Sequence, residues 1–295
     1  MPEEGPGQIS TAEVGCYTVA RTTLLDTRRI MAYAASINDT NEAYFNDLRE
    51  PGLQVHPAIC FSLQWNARFL IDRAVNLQAA PFGVHAETDL RIFQPFKQGE
   101  AITTQGRLVA RKQIRPGVYS VDRYRMTNGQ GQLVAELDYN GIIRGGKLDG
   151  ADIELEPEID KPVCDSLPEQ PLWSEEIYIS IHAGQQYTEC AAIFNPIHTE
   201  PSVARKAGLP GVILHGSATK AYALTEVINH CFAGDARRVR RLCGQLRGMV
   251  LMDSTIRVEC MGVQQTREEK QVFFRVLNEA GQAAIANGVV CGTRD

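Results

Sequence analysis

Several signatures are missing from this 295-residue chain. It has no Cys-x-x-Cys pair among its eight cysteines, no Gly-rich phosphate loop and no Gly-x-Ser-x-Gly elbow. Redox-dithiol, nucleotide-binding and serine-hydrolase chemistry lose their usual sequence support. No His/Cys/Asp/Glu cluster has metal-ligand spacing, so neither a metal nor another cofactor is expected. No apolar run approaches the roughly 18 residues that suggest a membrane span. Excess positive charge is also lacking. With 30 Lys and Arg against 35 Asp and Glu, the net charge is −5, and nucleic acid is not an expected partner. The one basic run, Arg237-Arg238-Val239-Arg240-Arg241, reads as a solvated charge cluster. Scattered cysteines point to reduced, buried thiols. The polar, Gly- and Pro-bearing residues 1–10 lack the basic and apolar regions of a secretory signal and read as a loose tail. The expected location is the cytoplasm.

What is present is ample core material, with 44% hydrophobic residues, and an alternation of pattern. Ile30, Ala34 and Ile37 recur at helical spacing, and Asp26-Thr27 offers an N-cap, which predicts a helix over 24–38. A long apolar stretch predicts a buried helix over 58–76. Strand patterns follow at 88–93, 101–110, 118–127 and 133–143, separated by tight turns such as Asn128-Gly129-Gln130-Gly131. A helix followed by consecutive strands argues α+β with an antiparallel sheet. A Pro-rich, acidic stretch, with Pro157, Pro162, Pro168 and Pro171, reads as a linker.

The plan then repeats. Laying Tyr33 on Tyr187, an offset of 154, brings Asp39 onto Ile193, Asn41 onto Asn195 and Tyr44 onto His198; Val55-His56-Pro57 parallels Leu214-His215-Gly216. A second long helix is predicted over 217–232, and strands at 246–251, 255–263, 271–277 and 283–291. Repetition at this length indicates a duplicated domain, not a solenoid. The expected organisation is 1–144, a linker at 145–172, and 173–295.

The chemistry concentrates in the second copy. In Asn195-Pro196-Ile197-His198, the proline disfavours helix at Asn195 and fixes a corner from which His198 projects. A histidine so placed suits acid/base work near neutral pH, although an isolated histidine beside a proline also serves as a hydrogen-bonded structural residue. In His215-Gly216-Ser217, the glycine ahead of an apolar helix lets a ligand oxygen approach backbone N–H groups, the requirement for an oxyanion site. Its plain alternative is a helix cap.

Together, the run Tyr187 to His198, then Ala204, Gly208 and Ile213-Leu214-His215-Gly216, resembles the signature of MaoC-like dehydratases, the R-specific enoyl-CoA hydratases of the hotdog fold. The segment 247–256 resembles the strand by which that family enters its sheet. Tyr33 to Asn41 with Tyr44-Phe45 resembles the degenerate first copy of double-hotdog members. The resemblance implies two tandem antiparallel sheets, each wrapped around a central helix and packed as a pseudo-dimer. It also implies an acyl-thioester substrate carried on CoA or a carrier protein. A homo-oligomer or a partner hydratase subunit would be compatible. By position it makes His198 the acid/base, Gly216 the oxyanion donor and Asn195 a structural or polarising neighbour.

One position departs from the family. Where the motif has an aspartate, this chain has Ile193, and Ala191-Ala192 replace the usual Ser-Gly. An isoleucine neither takes a proton nor orients water, and losing one of two acid/base groups typically costs a factor of about 10² to 10⁴ in rate. Glu189, Glu200 and, from the other copy, Asp39 are the substitute carboxylates within the sequence, with His215 and Ser217 as polar neighbours. His56 and His85 read as structural. Three functions follow: a hydratase/dehydratase with an altered site, a non-catalytic acyl-thioester-binding subunit, or a different thioester reaction, isomerisation or hydrolysis, in the same pocket.

Overall fold

The computed structural model describes residues 5–68, 78–164 and 166–294. In chain order the elements are β1 (Gln8–Ser10), β2 (Arg21–Leu24), α1 (Thr27–Ser36), α2 (Ile59–Asn66), β3 (Gly83–Ile92), β4 (Ala101–Ile114), β5 (Gly117–Thr127), β6 (Leu133–Arg144), β7 (Lys147–Asp149) and β8 (Ile153–Glu154). There follow β9 (Trp173–Ile179), α3 (Ala183–Cys190), α4 (Pro201–Lys206), α5 (Gly216–Cys231), β10 (Val239–Leu246), β11 (Ser254–Gln265), β12 (Lys270–Leu277) and β13 (Ala283–Gly292).

The longer strands form a single sheet in the order β2-β4-β5-β6-β3-β10-β13-β12-β11-β9, with β8 added against β4. The order is a palindrome of the repeat: β2, β4, β5, β6 and β3 correspond to β9, β11, β12, β13 and β10. The copies meet at β3 and β10, antiparallel, with Arg241 opposite Arg91 and Gln245 opposite Glu87. Alternation along the strands sends one set of side chains to the concave face, where α2 and α5 lie. α5 is buried on nearly every side, from Ala218 through Leu224 and on to Ile228, as a helix enclosed by a sheet must be. Tyr33, Ile59, Leu90, Tyr187, Leu224 and Val290 join the core that both copies share. This is the expected α+β double hotdog.

The offset of 154 holds to the residue through the segments overlying the sheet. α1 and α3 end at Ser36 and Cys190, and the 3-10 turns Glu42–Tyr44 and Pro196–His198 correspond exactly in position. Asn38 and Ala192, also 154 apart, both take the left-handed backbone conformation, φ 53° and 56°. The Tyr33 and Tyr187 hydroxyls lie 3.4 Å apart on the line between the copies. Asp26 caps α1 as expected, its carboxylate accepting from the Arg29 N–H at 2.8 Å.

Several expectations need correcting: the tail at 1–10 is not loose throughout, since β1 pairs in parallel with β7, and the linker at 145–172 holds β7 and β8. The last strand group does not begin with 246–251: β10 lies earlier, at Val239–Leu246, and Leu251 contributes only an isolated bridge to Ile213. The basic run is therefore not a solvated cluster throughout. Arg241 makes two hydrogen bonds of 2.8 Å to Asp89 across the β3–β10 seam, and Arg238 is tied to the Thr293 carbonyl at 2.8 Å. A further correction concerns the helix over 58–76, of which α2 ends at Asn66; residues 69–77 lie outside those described.

On the convex face, Asp89, Arg91, Arg123, Glu136 and Asp138 form a buried ion network. Arg91 reaches Asp89 at 2.7 Å and Glu136 at 2.8 Å, and Arg123 grips Asp138 at 2.7 and 2.9 Å. The acidic stretch after β8 runs over it as a strap. The Pro157 carbonyl accepts from Arg123, the Asp160 carbonyl accepts from Arg241, and Lys161 pairs with Glu87 at 2.7 Å. Buried charges are tolerated when each is paired in this way.

Candidate active site

A cavity of about 740 Å³ runs between the two copies, within the size range of small-molecule sites. From the second copy it is walled by Ile193, Asn195, His198, His215, Gly216 and Ser217; from the first, by Phe61, Trp65, His85 and Tyr139. The motif residues thus converge on one space, although they come from a 3-10 turn, a loop and a helix start.

His198 closes its 3-10 turn, with Pro196 at the first position. Gly184 of α3 makes this placement possible, because a methyl group there would run into the His198 carbonyl oxygen and the Met252 side chain. Sequence reasoning missed Gly184; a glycine inside an otherwise helical pattern was the available signal. His198 Nδ1 donates to the Ile213 carbonyl at 2.8 Å. Since a carbonyl only accepts, the proton is fixed on Nδ1 and the Nε2 lone pair is left facing the cavity. Burial pulls the His198 pKa down to about 4, so the ring is neutral, and a proton acceptor, at physiological pH.

His215 stacks on His198, ring centroids 3.8 Å apart. Its Nε2 donates to the carbonyl of Ile193 at 3.1 Å, while Nδ1 is buried without a hydrogen-bond partner. Burial, with the charge of His198 adding to it, lowers its pKa to about 2. The role of His215 is architectural: it ties the Ile193 backbone beneath the His198 ring. Gly216 opens the 16-residue α5, so its N–H has no carbonyl one turn back to donate to and sits at the positive end of the helix dipole. A side chain at Gly216 would press on Leu246, which leaves backbone as the surface offered there.

The structure separates the candidate carboxylates from this space. Ile193 is buried, 3% exposed, and joins the hydrophobic core, so nothing acidic occupies the motif aspartate position. Glu189 is exposed on α3 and does not share a face with Ile193 toward the cavity; Glu200 is exposed ahead of α4 and caps nothing. Neither is among the cavity-lining residues. Asn195 lines the cavity but makes no capping bond. Ser217 lies in the first turn of α5, within hydrogen-bonding reach of Tyr187.

Asp39 belongs to the equivalent place in the first copy, and that place is filled. Its Oδ1 accepts from the Asn41 N–H at 2.9 Å, the turn-capping role expected of an Asn-Asp-Thr-Asn segment. Its Oδ2 accepts from the Thr225 hydroxyl at 3.1 Å, and that hydroxyl in turn accepts from His56 Nε2 at 3.2 Å. Tyr33 stacks on His56, and Tyr44, the counterpart of His198, packs edge-on against it. The structure therefore brings His198, His215, Gly216 and Asn195 together and leaves Asp39 in a separate, plugged pocket.

Among the described residues, no group of three His, Cys, Asp or Glu side chains is placed to hold a metal ion, and no helix is long and apolar enough to cross a membrane.

Comparison with known proteins agrees with this fold. Residues 168–283 match the MaoC like domain, and residues 12–137 match the dehydratase domain region described as FAS1-like. A fatty acid synthase beta subunit of Emericella nidulans is 30% identical over 139 residues, 42% of this chain and 7% of that protein. The peroxisomal enoyl-CoA hydratase 2 of Arabidopsis thaliana is 33% identical over 66 residues, 22% of this chain and 21% of that protein. The chain thus matches only a minor part of these relatives' length. Among solved structures, a MaoC-like dehydratase of Phytophthora capsici superposes with a TM-score of 0.81 at 18% identity, covering 95% of this chain and 97% of that one. A Mycobacterium tuberculosis protein described as having a double hotdog fold superposes with a TM-score of 0.62 at 11% identity, covering 94% and 95%.

Proposed function

We propose that this double-hotdog chain, whose second half matches the MaoC like domain and whose first half matches the FAS1-like dehydratase region, hydrates 2-enoyl thioesters and dehydrates 3-hydroxyacyl thioesters reversibly. The observation that carries this reading is the cavity shared by the free Nε2 of His198 and the amide of Gly216.

The thioester carbonyl oxygen accepts from the Gly216 N–H, which stabilises the enolate that forms when water adds to C3. His198 Nε2 takes one proton of the attacking water, and the hydroxyl stays on C3. The resulting imidazolium, still held by the Ile213 carbonyl, returns that proton to C2 as the enolate collapses. Water is thereby added across the double bond with one base used twice. Without the motif carboxylate the nucleophilic water is less well held, and turnover is expected to be slower than in an enzyme with the full pair. CoA and a carrier protein both present the thioester in the same chemical form, and both are substrates on this reading.

The test is direct. Purified protein with 2-enoyl-CoA should produce the 3-hydroxyacyl-CoA, seen by mass spectrometry as addition of one water with the thioester intact, and His198→Ala should abolish it. Absence of hydration across chain lengths would sink the proposal. The burial of Ile193 in the hydrophobic core favours one alternative, a binding subunit; acyl-CoA would then bind without turnover by wild type and His198→Ala alike.

A further inference from the structure

The first-copy wall of the cavity holds a polar arrangement to which the proposed chemistry gives no task. His85 stacks on Tyr139, ring centroids 4.1 Å apart and planes 24° from parallel. Both rings line the cavity, beside the aromatic faces of Phe61 and Trp65. His85 Nε2 lies 3.0 Å from the Glu87 carbonyl and 2.7 Å from the Thr88 hydroxyl. The carbonyl can only accept, so Nε2 carries the proton and Nδ1 presents a lone pair. Burial and the neighbouring charge of Lys220 hold the His85 pKa well below its ordinary value, so the ring remains an acceptor. The Tyr139 hydroxyl is uncommitted among the described residues and supplies a donor; burial raises its pKa, so it keeps its proton.

A neutral acceptor and a neutral donor on one aromatic wall suit a group that both donates and accepts. A hydroxyl donates to the first and accepts from the second. A carboxylate lacks the proton that His85 would receive, and a plain methylene chain leaves both polar groups unpaired at a cost. These groups sit on the opposite copy from His198 and Gly216, along the same cavity. Resting on the thioester reading above, we propose that the preferred acyl group carries a hydroxyl distal to its double bond, bound between His85 and Tyr139.

The experiment compares 2-decenoyl-CoA with a set of decenoyl-CoAs carrying one hydroxyl at successive carbons toward the chain end. In wild type, at least one hydroxylated substrate should exceed the plain one in kcat/KM by about tenfold, the worth of one well-made hydrogen bond. Tyr139→Phe, which removes only the oxygen, should erase that preference, bringing the ratio of kcat/KM for the hydroxylated over the plain substrate to about one. His85→Phe, which keeps the stacked pair, should do the same. If no hydroxylated substrate exceeds the plain one, or if both variants slow every substrate equally, the inference is overturned. Calorimetric binding of the saturated acyl-CoAs reads the same preference without turnover. A hydroxyl preference in Kd with no hydration would overturn the reaction proposed above and leave this inference standing, whereas hydration without the preference would do the reverse.

Discussion

Lys220 offers a test of how the core tolerates charge. It lies in the middle of α5, 1% exposed, and its Nζ has no hydrogen-bond partner. His85, Glu87, Asp89, Lys161 and Cys243 are the ionisable groups that act on it, and the Glu87 and Asp89 carboxylates are already committed to Lys161, Arg91 and Arg241. Burial drives the Lys220 pKa from 10.5 down to about 7. The folded protein therefore binds fewer protons than the unfolded chain between those two values, and stability rises with pH across that window. At about 1.4 kcal/mol per pH unit, the full penalty is on the order of 5 kcal/mol below about pH 7. Roughly 2 kcal/mol of it is recovered by about pH 8.5. Lys220→Met keeps the stem and removes the ammonium. Urea unfolding at several pH values should show the variant more stable than wild type by about 2 to 4 kcal/mol near neutrality. The difference between the two proteins should narrow as pH rises. Subtracting one curve from the other removes the contributions of the buried thiols, which both share. A Lys220→Met protein that is less stable than wild type, or a difference that does not change with pH, would refute the reasoning and mean that the ammonium is well solvated or paired.

Four further outcomes are expected. Because burial holds His198 near 4, kcat/KM should be flat from about pH 8 to about pH 5, with an acid limb near 4 in place of one near 6.5; a limb at 6.5 would show that the base is elsewhere or exposed. The same depression, with those of His56 and His215, means that stability is complete above the unfolded value and is lost as pH falls from 6.5 toward 4, which thermal unfolding would register. Gly184→Ala should displace the turn that carries His198, lowering kcat at least tenfold while costing about 1–3 kcal/mol in stability; unchanged kinetics would mean that the close approach does not set the histidine. Ala192→Gly should stabilise by about 0.5–1 kcal/mol in urea melts, since an alanine held at φ 56° carries a left-handed penalty that glycine avoids.

Much of this was legible in the residues themselves. The offset of 154 placed both turns, both tyrosines and the His198 corner, because local rules dominate there: Pro196 fixes the backbone, Asp26 and Asn41 cap through their own side chains, and Gly216 starts a helix. What was not legible depends on residues far apart in the chain. β10 hid inside a basic run because Asp89, which neutralises Arg241, lies 152 positions earlier. The glycine requirement at 184 arises from a carbonyl fourteen residues later, a contact with no trace in periodicity. β9, at the sheet edge, alternates exposed Ser174 and Glu176 with partly buried Trp173, Glu175 and Ile177, but the acidic proline-rich stretch before it masked that alternation. The fate of Asp39 was equally invisible, since Thr225, the residue that occupies its pocket, sits on the other copy's helix.

The seam between β3 and β10 joins two halves that in a pair of separate chains would meet only by collision. Here the backbone carries the strap from β6 across Arg123 and Arg241 to β9, so closing the seam is an intramolecular event at an effective concentration far above that of any protein solution. The cavity, which needs walls from both halves, therefore assembles once per chain and does not come apart on dilution. Specific activity should stay constant down to nanomolar protein, and a tight-binding acyl-CoA analogue should titrate one site per chain, without the cooperativity open to a molecule with two.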